Sequence, residues 1–443
     1  MAIPAPFAEP LWYYRNSSPY YNESHRKLRR FVREYVENEL MPYAEEWERS
    51  GRVPPEAIQK YVENGFAITK PTKREYMGGI SLPAGIEPET WDVFHDLVVN
   101  DELSRVGFSG VLWGMNGGNG IGCPPILNFG NEQQRLEYLP KVSRGEIRFC
   151  LGITEPDAGS DVSGIKTTAK RVGNRYIVNG AKKWITNGIF ADYCTAAVRT
   201  GGPGRKGISL LIIPLKYKGV TRRRMYNSGV NASGSTFLEF DSVEVPVENL
   251  IGKENEGFKY IMSSTHPFFA NMSHFVSVAD GTDFNPERLA MASSCIRLSR
   301  VCVEDAFNYA VTRKTFGQPL INNQVIRAKF SKFGELIEPC QAFLEQLAYT
   351  IQLNERTGKE IDVGGMTALL KVMSTRCLEK VCREAQQVLG GAGYNKAGKG
   401  ARIEAISRDV RVFVVGGGSE EILRDLAVRQ EMKFMSEVCR AKM

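Results

Sequence analysis

The sequence predicts an α+β multidomain protein in which a middle β domain separates two helical ones. Two changes of texture predict it. Apolar residues recur three or four apart up to about residue 145 and again from Asn285 onward. Between Glu146 and about Gly252 the period is two, the spacing of half-buried strands. With 443 residues, the chain can bury a large core in two or three domains.

The N-terminal zone, residues 1–145, reads as helices such as His25–Val36 and Pro55–Val62. Glycine-rich stretches near 78–85 and 114–122 are expected to break them. The middle zone, residues 146–256, opens with the run Arg175–Val178, followed by Asn179-Gly180 and the run Ala181–Thr186. Asn-Gly between two alternating runs predicts a hairpin turn there. Gly207–Leu215 and Ser235–Pro246 read as further strands. The last zone, residues 257–443, holds three long helical runs, Glu287–Lys314, Gln324–Glu355 and Gly364–Leu389. Small residues at Ala290, Ala292, Ser293 and Ser294 suit close helix packing in the first of them.

Composition excludes several classes. Hydrophobic content of 42% and charged content of 24% are ordinary for a globular protein. No run of about 18 apolar residues occurs, so no membrane span is expected. The net charge of +7 is spread without a basic block, which argues against nucleic acid as a partner. The nine cysteines show no CxxC spacing and only four histidines accompany them, so neither a metal site nor a disulfide framework is expected. That usage fits a reducing compartment. The stretch Met1–Tyr21 lacks the apolar segment of a secretory signal. The ending Ala441-Lys442-Met443 is similar to a peroxisomal address, with mitochondrial or cytoplasmic residence as alternatives.

Four segments carry chemistry. Thr154–Ser160 mixes hydroxyls with glycine and proline, suited to a polar ring edge and a phosphate, or to a plain turn between strands. Trp184 and Thr186 are two apart on an expected strand and so would share a face. Arg313 ends a long helix, where it could pair with a pyrophosphate or simply favour the helix terminus. Asn285-Pro286-Glu287 has the makings of a helix start, with cap, first-turn proline and first-turn acid. Far along the chain, Gly416-Gly417-Gly418 forms a loop with no side chains.

Gly152–Val162, Lys183–Gly188, Arg313–Gly317 and Gln387–Tyr394, in this order, resemble the acyl-CoA dehydrogenase family over about residues 22–435. The resemblance implies an N-terminal helical bundle, a middle antiparallel β-barrel domain and a C-terminal four-helix bundle. It implies FAD as cofactor, acyl-CoA as substrate and trans-2-enoyl-CoA as product. On the flavin ring it places Ile153, Thr154, Trp184 and Thr186, and on the FAD pyrophosphate Ser160, which is also near substrate. The adenosine half and the neighbouring subunit's FAD fall to Arg313, Thr315, Phe316, Gln324, Gln387, Gly390 and Gly391, with Ser419 and Glu421 also assigned to the cofactor. A homodimer or homotetramer follows, as does an electron acceptor, either an electron-transferring flavoprotein or O2. Many members carry the catalytic glutamate in the C-terminal loop, where this chain has Gly417. Glu287 matches the alternative position of the isovaleryl and long-chain types, with Gly417 contributing its N–H and Arg288 lying near the thioester. Glu420 and Glu421 are the rival bases. Relative to the family, residues are added at about 263–282, as a substrate-shaping loop or as retained intron sequence. Together with the tail, these features suggest a fungal-like peroxisomal member. A flavin monooxygenase or nitroalkane-type oxidase on the same fold would not need Glu287. A DNA-binding flavoprotein would need more concentrated charge.

Overall fold

The computed structural model describes residues 4–15, 18–68, 73–264, 285–358 and 361–441. Most of the insertion at 263–282 and the tail residues Lys442 and Met443 lie outside the described residues. Packing divides the chain into two compact units, one of residues 1–45, 92–109 and 287–443, the other of 46–91 and 110–286.

The first unit is helical. Its principal helices are α1 (Glu23–Tyr35), α2 (Val93–Ser104), α3 (Asn285–Thr312), α4 (Gln324–Thr357), α5 (Gly364–Leu389), α6 (Ala401–Val415) and α7 (Glu420–Ala441). Helix α5 packs on α4, α6 and α7, while α1 lies on α2. Helix α3 is buried nearly all round, which is why its apolar pattern has no dominant face. The starts of α1 and α2 are capped in the same way: Asn22 and Asp92 accept first-turn N–H groups, and the third helical residue, His25 or His95, accepts the cap's own N–H. Because His25 Nδ1 accepts the Asn22 N–H at 3.0 Å, its Nε2 carries the proton and donates to Asp92 Oδ1 at 2.9 Å. The cluster His25–Asp92–His95 is thus built as paired helix caps, with no His25 lone pair left for an ion.

Charges are buried deep in this unit. Arg297 is fully buried and donates to Glu9 Oε2 at 2.9 Å and to Asp101 Oδ1 at 2.9 Å. Arg33 spans Glu9 and Glu102, at 2.7 Å to each, and Arg300 meets Glu338 at 2.8 Å. Glu9 ties an N-terminal segment without long secondary structure to the helices, since no such charge survives burial unpaired.

The second unit is built on a sheet of strands β1 (Phe149–Gly152), β2 (Thr168–Val172), β3 (Arg175–Ile185), β4 (Tyr193–Arg199), β5 (Ile208–Pro214), β6 (Val220–Arg224), β7 (Thr236–Pro246) and β8 (Leu250–Ile251). The order is β6-β7-β3-β2-β4-β5-β8, with β1 added beside β4. The expected antiparallel pattern holds except at β4, which pairs parallel with β1 and touches β2 in parallel. Strand β5 is buried on both faces, and its alternation sorts the core. Ile208, Leu210 and Ile212 pack with Tyr138, Phe149 and Ile261, whereas Leu211 and Ile213 pack with Val178, Leu238 and Phe240.

Two expectations about glycine are corrected here. The Asn179-Gly180 hairpin does not form, because β3 runs straight through it. The turn is instead the two-residue link Gly173-Asn174 between β2 and β3, with Gly173 at φ 59°. Asn179 Oδ1 accepts the Ser242 N–H of β7 at 2.8 Å across a register shift, and a Cβ at Gly180 would lie 2.6 Å from Thr167 Cα. The pair therefore serves a bulge and a close backbone approach. The stretch 114–122 likewise is helical rather than a break. Cβ atoms on Gly118 and Gly122 would meet the carbonyl oxygens of Phe149 and Cys150 at 2.3 Å and 2.8 Å, so these glycines let a helix lie directly on β1.

Candidate active site

In the helical unit, the start of α3 and the loop between α6 and α7 come together. Gly417 has φ 64° and Gly418 φ 107°, backbone conformations that favour glycine. A Cβ built on Gly417 would lie 4.0 Å from Glu287 Oε1 and 2.9 Å from Met291 Sδ. The Glu287 carboxylate therefore stands where a side chain at position 417 would point. Arg288 is buried rather than on the surface, and its Nε donates to the Gly417 carbonyl at 3.3 Å. Lys371 of α5 is fully buried, and its Nζ donates to the carbonyls of Val414 at 2.7 Å and Gly418 at 2.9 Å.

The electrostatics separate the candidate bases. Burial pushes the Glu287 carboxyl above its ordinary 4.5, opposed by the charges of Arg288 and Lys371. Glu420 goes the other way, held low chiefly by its bond to Arg376 and further by Arg424 at 2.9 Å. Glu421 is exposed in the first turn of α7, and Ser419 is half-buried just before it. A carboxyl held low by paired cations is a poorer proton acceptor than one raised by burial.

The β unit presents a second polar constellation. Lys182 is fully buried and donates to Glu155 Oε1 at 2.8 Å and to the Ile153 carbonyl at 3.0 Å. Burial would raise the Glu155 carboxyl, but Lys182 and the N–H groups of Lys166 and Thr167 outweigh it and hold it below its usual value. Thr154 is pinned through its carbonyl, which accepts the Lys183 N–H at 2.8 Å. Ile153 and Thr154 are half-buried, while Ser160 is exposed next to Gly159, whose missing Cβ would meet nothing within 4 Å.

Trp184 and Thr186 do not share a face by simple alternation. Strand β3 ends at Ile185, and Trp184 sits at φ 65° inside a register shift. This left-handed conformation, rare for a bulky residue, leaves Trp184 53% exposed with Lys183 Nζ 4.9 Å from its ring centroid. Thr186 follows, half-buried, and then Asn187, also left-handed. Asn187 is buried and locks the turn, accepting the Gly118 N–H at 2.7 Å and donating to the Ser233 carbonyl at 2.7 Å.

Back in the helical unit, Arg313, Phe316, Gln324, Gln387, Gly390 and Gly391 are exposed, and Thr315 is half-buried in a small strand pair with Gln318. Cβ atoms on Gly390 and Gly391 would meet nothing within 4 Å, so both border open space. Lys371, Met291, Glu155 and Lys182 were not singled out from the sequence. The available signal was a lysine set among apolar neighbours, as in Ala368-Leu369-Leu370-Lys371-Val372-Met373.

Comparison with known proteins agrees with this arrangement along the chain. The profiles "Acyl-CoA dehydrogenase, N-terminal domain", "middle domain" and "C-terminal domain" match residues 22–146, 150–243 and 276–432. The chain belongs to the acyl-CoA dehydrogenase family. Among acyl-CoA dehydrogenases, AFT10-1 of Alternaria alternata is 47% identical over 436 residues, covering 97% of this chain and 96% of that protein. The mitochondrial long-chain specific acyl-CoA dehydrogenase of Mus musculus is 29% identical, covering 93% of this chain and 87% of its own length. A probable acyl-CoA dehydrogenase from Mycobacterium abscessus superposes with a TM-score of 0.79 at 30% identity, over 93% of this chain and 99% of that one. The fold is thus that of acyl-CoA dehydrogenases, helical, β and helical in order.

Proposed function

We propose that the protein is an FAD-dependent acyl-CoA dehydrogenase that converts an acyl-CoA to the trans-2-enoyl-CoA, with Glu287 as the base. The observation that carries this reading is the 4.0 Å between Glu287 Oε1 and the place of a Gly417 Cβ. A carboxylate from α3 fills the role open at the glycine loop. Two other features support it. Burial raises the Glu287 pKa, which makes its carboxylate a stronger proton acceptor. Arg288 fixes the Gly417 carbonyl and with it the peptide unit of the loop.

In this mechanism the Gly417 N–H donates to the thioester oxygen and stabilises the charge that develops as the α proton leaves. Glu287 takes that proton. Bound FAD supplies the acceptor for the β hydrogen, which departs as hydride. Ile153, Thr154, Trp184 and Thr186 hold the ring, and Ser160 holds the pyrophosphate. The donor set of the β unit fits such a group: an exposed Trp184 at φ 65° in β3, and Gly159, whose missing Cβ borders open space. Arg313, Thr315, Phe316, Gln324 and Gln387 would serve the FAD of a second copy of the chain, and an electron-transferring flavoprotein or O2 would be the electron acceptor.

Anaerobic titration of the yellow protein with acyl-CoAs of several chain lengths tests the reading. Wild type is expected to bleach and E287Q to keep its FAD without bleaching. Failure of wild type with every acyl-CoA would sink the dehydrogenase assignment. Full bleaching by E287Q would sink the base.

A further inference from the structure

The loop proposed to polarise the thioester has an unusual problem. Gly416, Gly417 and Gly418 have no side chains with which to anchor themselves, and two of them occupy left-handed backbone space. An N–H on so free a segment would not by itself hold the sub-ångström aim that transition-state stabilisation requires. Something else must hold it.

We propose that Lys371 is the positioning residue of this loop, an inference that rests on the dehydrogenase reading above. Its ammonium group ties the carbonyl oxygens of Val414 and Gly418, at 2.7 Å and 2.9 Å, and these two residues bracket Gly416 and Gly417. With both ends held, and the carbonyl of the next peptide unit, that of Gly417, held by Arg288 Nε, the directions open to the Gly417 N–H are narrowed. The same clamp sets how far that N–H stands from Glu287. Val414 lies in the last turn of α6, so its carbonyl has no partner within the helix, and a cation there is favoured by the helix terminus as well. A fully buried lysine is costly and would be replaced with gain by an apolar residue if it only filled space.

Its charged surroundings are Glu287 and Arg288 with Cys295 on α3, and Glu420 on α7. Burial lowers the Lys371 pKa to about 8, with Cys295 opposing, Arg288 adding to the fall, and Glu287 and Glu420 opposing it. Among the described residues, the hydrogen bonds of Lys371 go to backbone carbonyls. It acts through the loop.

The test compares wild-type holoenzyme with K371M and K371Q. FAD content, melting temperature, kcat and KM for an acyl-CoA would be measured, with the thioester carbonyl stretch of bound enoyl-CoA followed by isotope-edited infrared spectroscopy. Both variants are expected to retain FAD. Their kcat should fall by about 100-fold, the size of a misplacement of roughly 1 Å, while KM moves less than about threefold. The carbonyl stretch should return toward its value in free enoyl-CoA. An FAD-loaded variant with wild-type kcat and an unchanged carbonyl stretch would overturn the proposal. Loss of folding or of FAD in both variants would do so too, because Lys371 would then hold the fold rather than the loop. Wild type that never bleaches with acyl-CoA is a different failure, that of the dehydrogenase reading itself.

Discussion

At the residue scale, Glu287 shows two opposing influences on one carboxyl. A first-turn acid is stabilised in its charged form by the helix terminus, which lowers its pKa, whereas burial raises it. The net shift is upward, with Arg288 and Lys371 opposing. The base works deprotonated, so activity is lost as pH falls through this raised value. The acid limb of kcat/KM should therefore lie above the ordinary 4.5 and vanish in E287Q. The fall in kcat for that variant should be about 10²–10⁴-fold, the usual contribution of a general base. Gly417 makes a second prediction. G417A places a methyl 2.9 Å from Met291 Sδ on a backbone at φ 64°, and should lower stability by about 1 kcal/mol or more in urea unfolding. A helix-start pattern, a glycine loop and the family resemblance together marked Glu287 and Gly417. The resemblance expected them at one site, but the residues themselves did not show it, since about 130 residues separate them along the chain and only the packing of α3 against the α6–α7 loop brings them together.

At the element scale, strand β3 and its two neighbouring glycine-dependent contacts are informative. The alternating pattern of β3 was readable, but Asn179-Gly180 carries the same signal whether it turns a hairpin or opens a bulge. What decides between them is the partner strand β7 and the backbone of Thr167, both remote in sequence. G180A should cost more than about 1 kcal/mol, since both the conformation at φ 145° and the space are unsuited to a side chain. G391A is the contrast. Open space surrounds it, so thermal stability should stay within about 0.5 kcal/mol while FAD affinity falls if the adenosine half lies there. Unchanged FAD affinity in G391A would remove Gly391 from the cofactor site. E155A should be costly in a different way, leaving Lys182 buried without its carboxylate. About 3–5 kcal/mol is expected, read by chemical denaturation.

At the scale of the whole molecule, the buried charges of the helical unit set its acid stability. Burial would raise the Glu9 carboxyl, but Arg297, Arg33 and Arg105 overcome it and hold it well below its ordinary 4.5. A carboxyl with a depressed native pKa contributes stability above its unfolded value, and that stability is lost as pH falls through the native one. Melting temperature should therefore decline below about pH 4.5, and E9Q should flatten that decline while lowering stability at neutral pH. The same scale governs association. Helix α7 exposes Ile422, Val428, Met432, Phe434 and Met435, and Phe316 and Tyr394 stand almost fully exposed. Such surfaces suit a second copy of the chain. Sedimentation should give a multiple of 49.5 kDa; a monomer at micromolar concentration would refute the intersubunit roles given to Arg313 and Gln387. Among the described residues no helix is long and apolar enough to cross a membrane.

By itself the sequence determined the order helical, β, helical, the limits of long helices such as Gly364–Leu389 and the family motifs. These follow from local periodicity, capping residues and short motifs, which depend on neighbours along the chain. Only the tertiary structure decided which charges are buried together, how Trp184 is turned outward, that Asn179-Gly180 is a bulge, and that Lys371 reaches the glycine loop. Each of these depends on groups far apart in sequence whose burial and pairing exist only once the chain has packed, and no local pattern encodes the desolvation that gives them their energy.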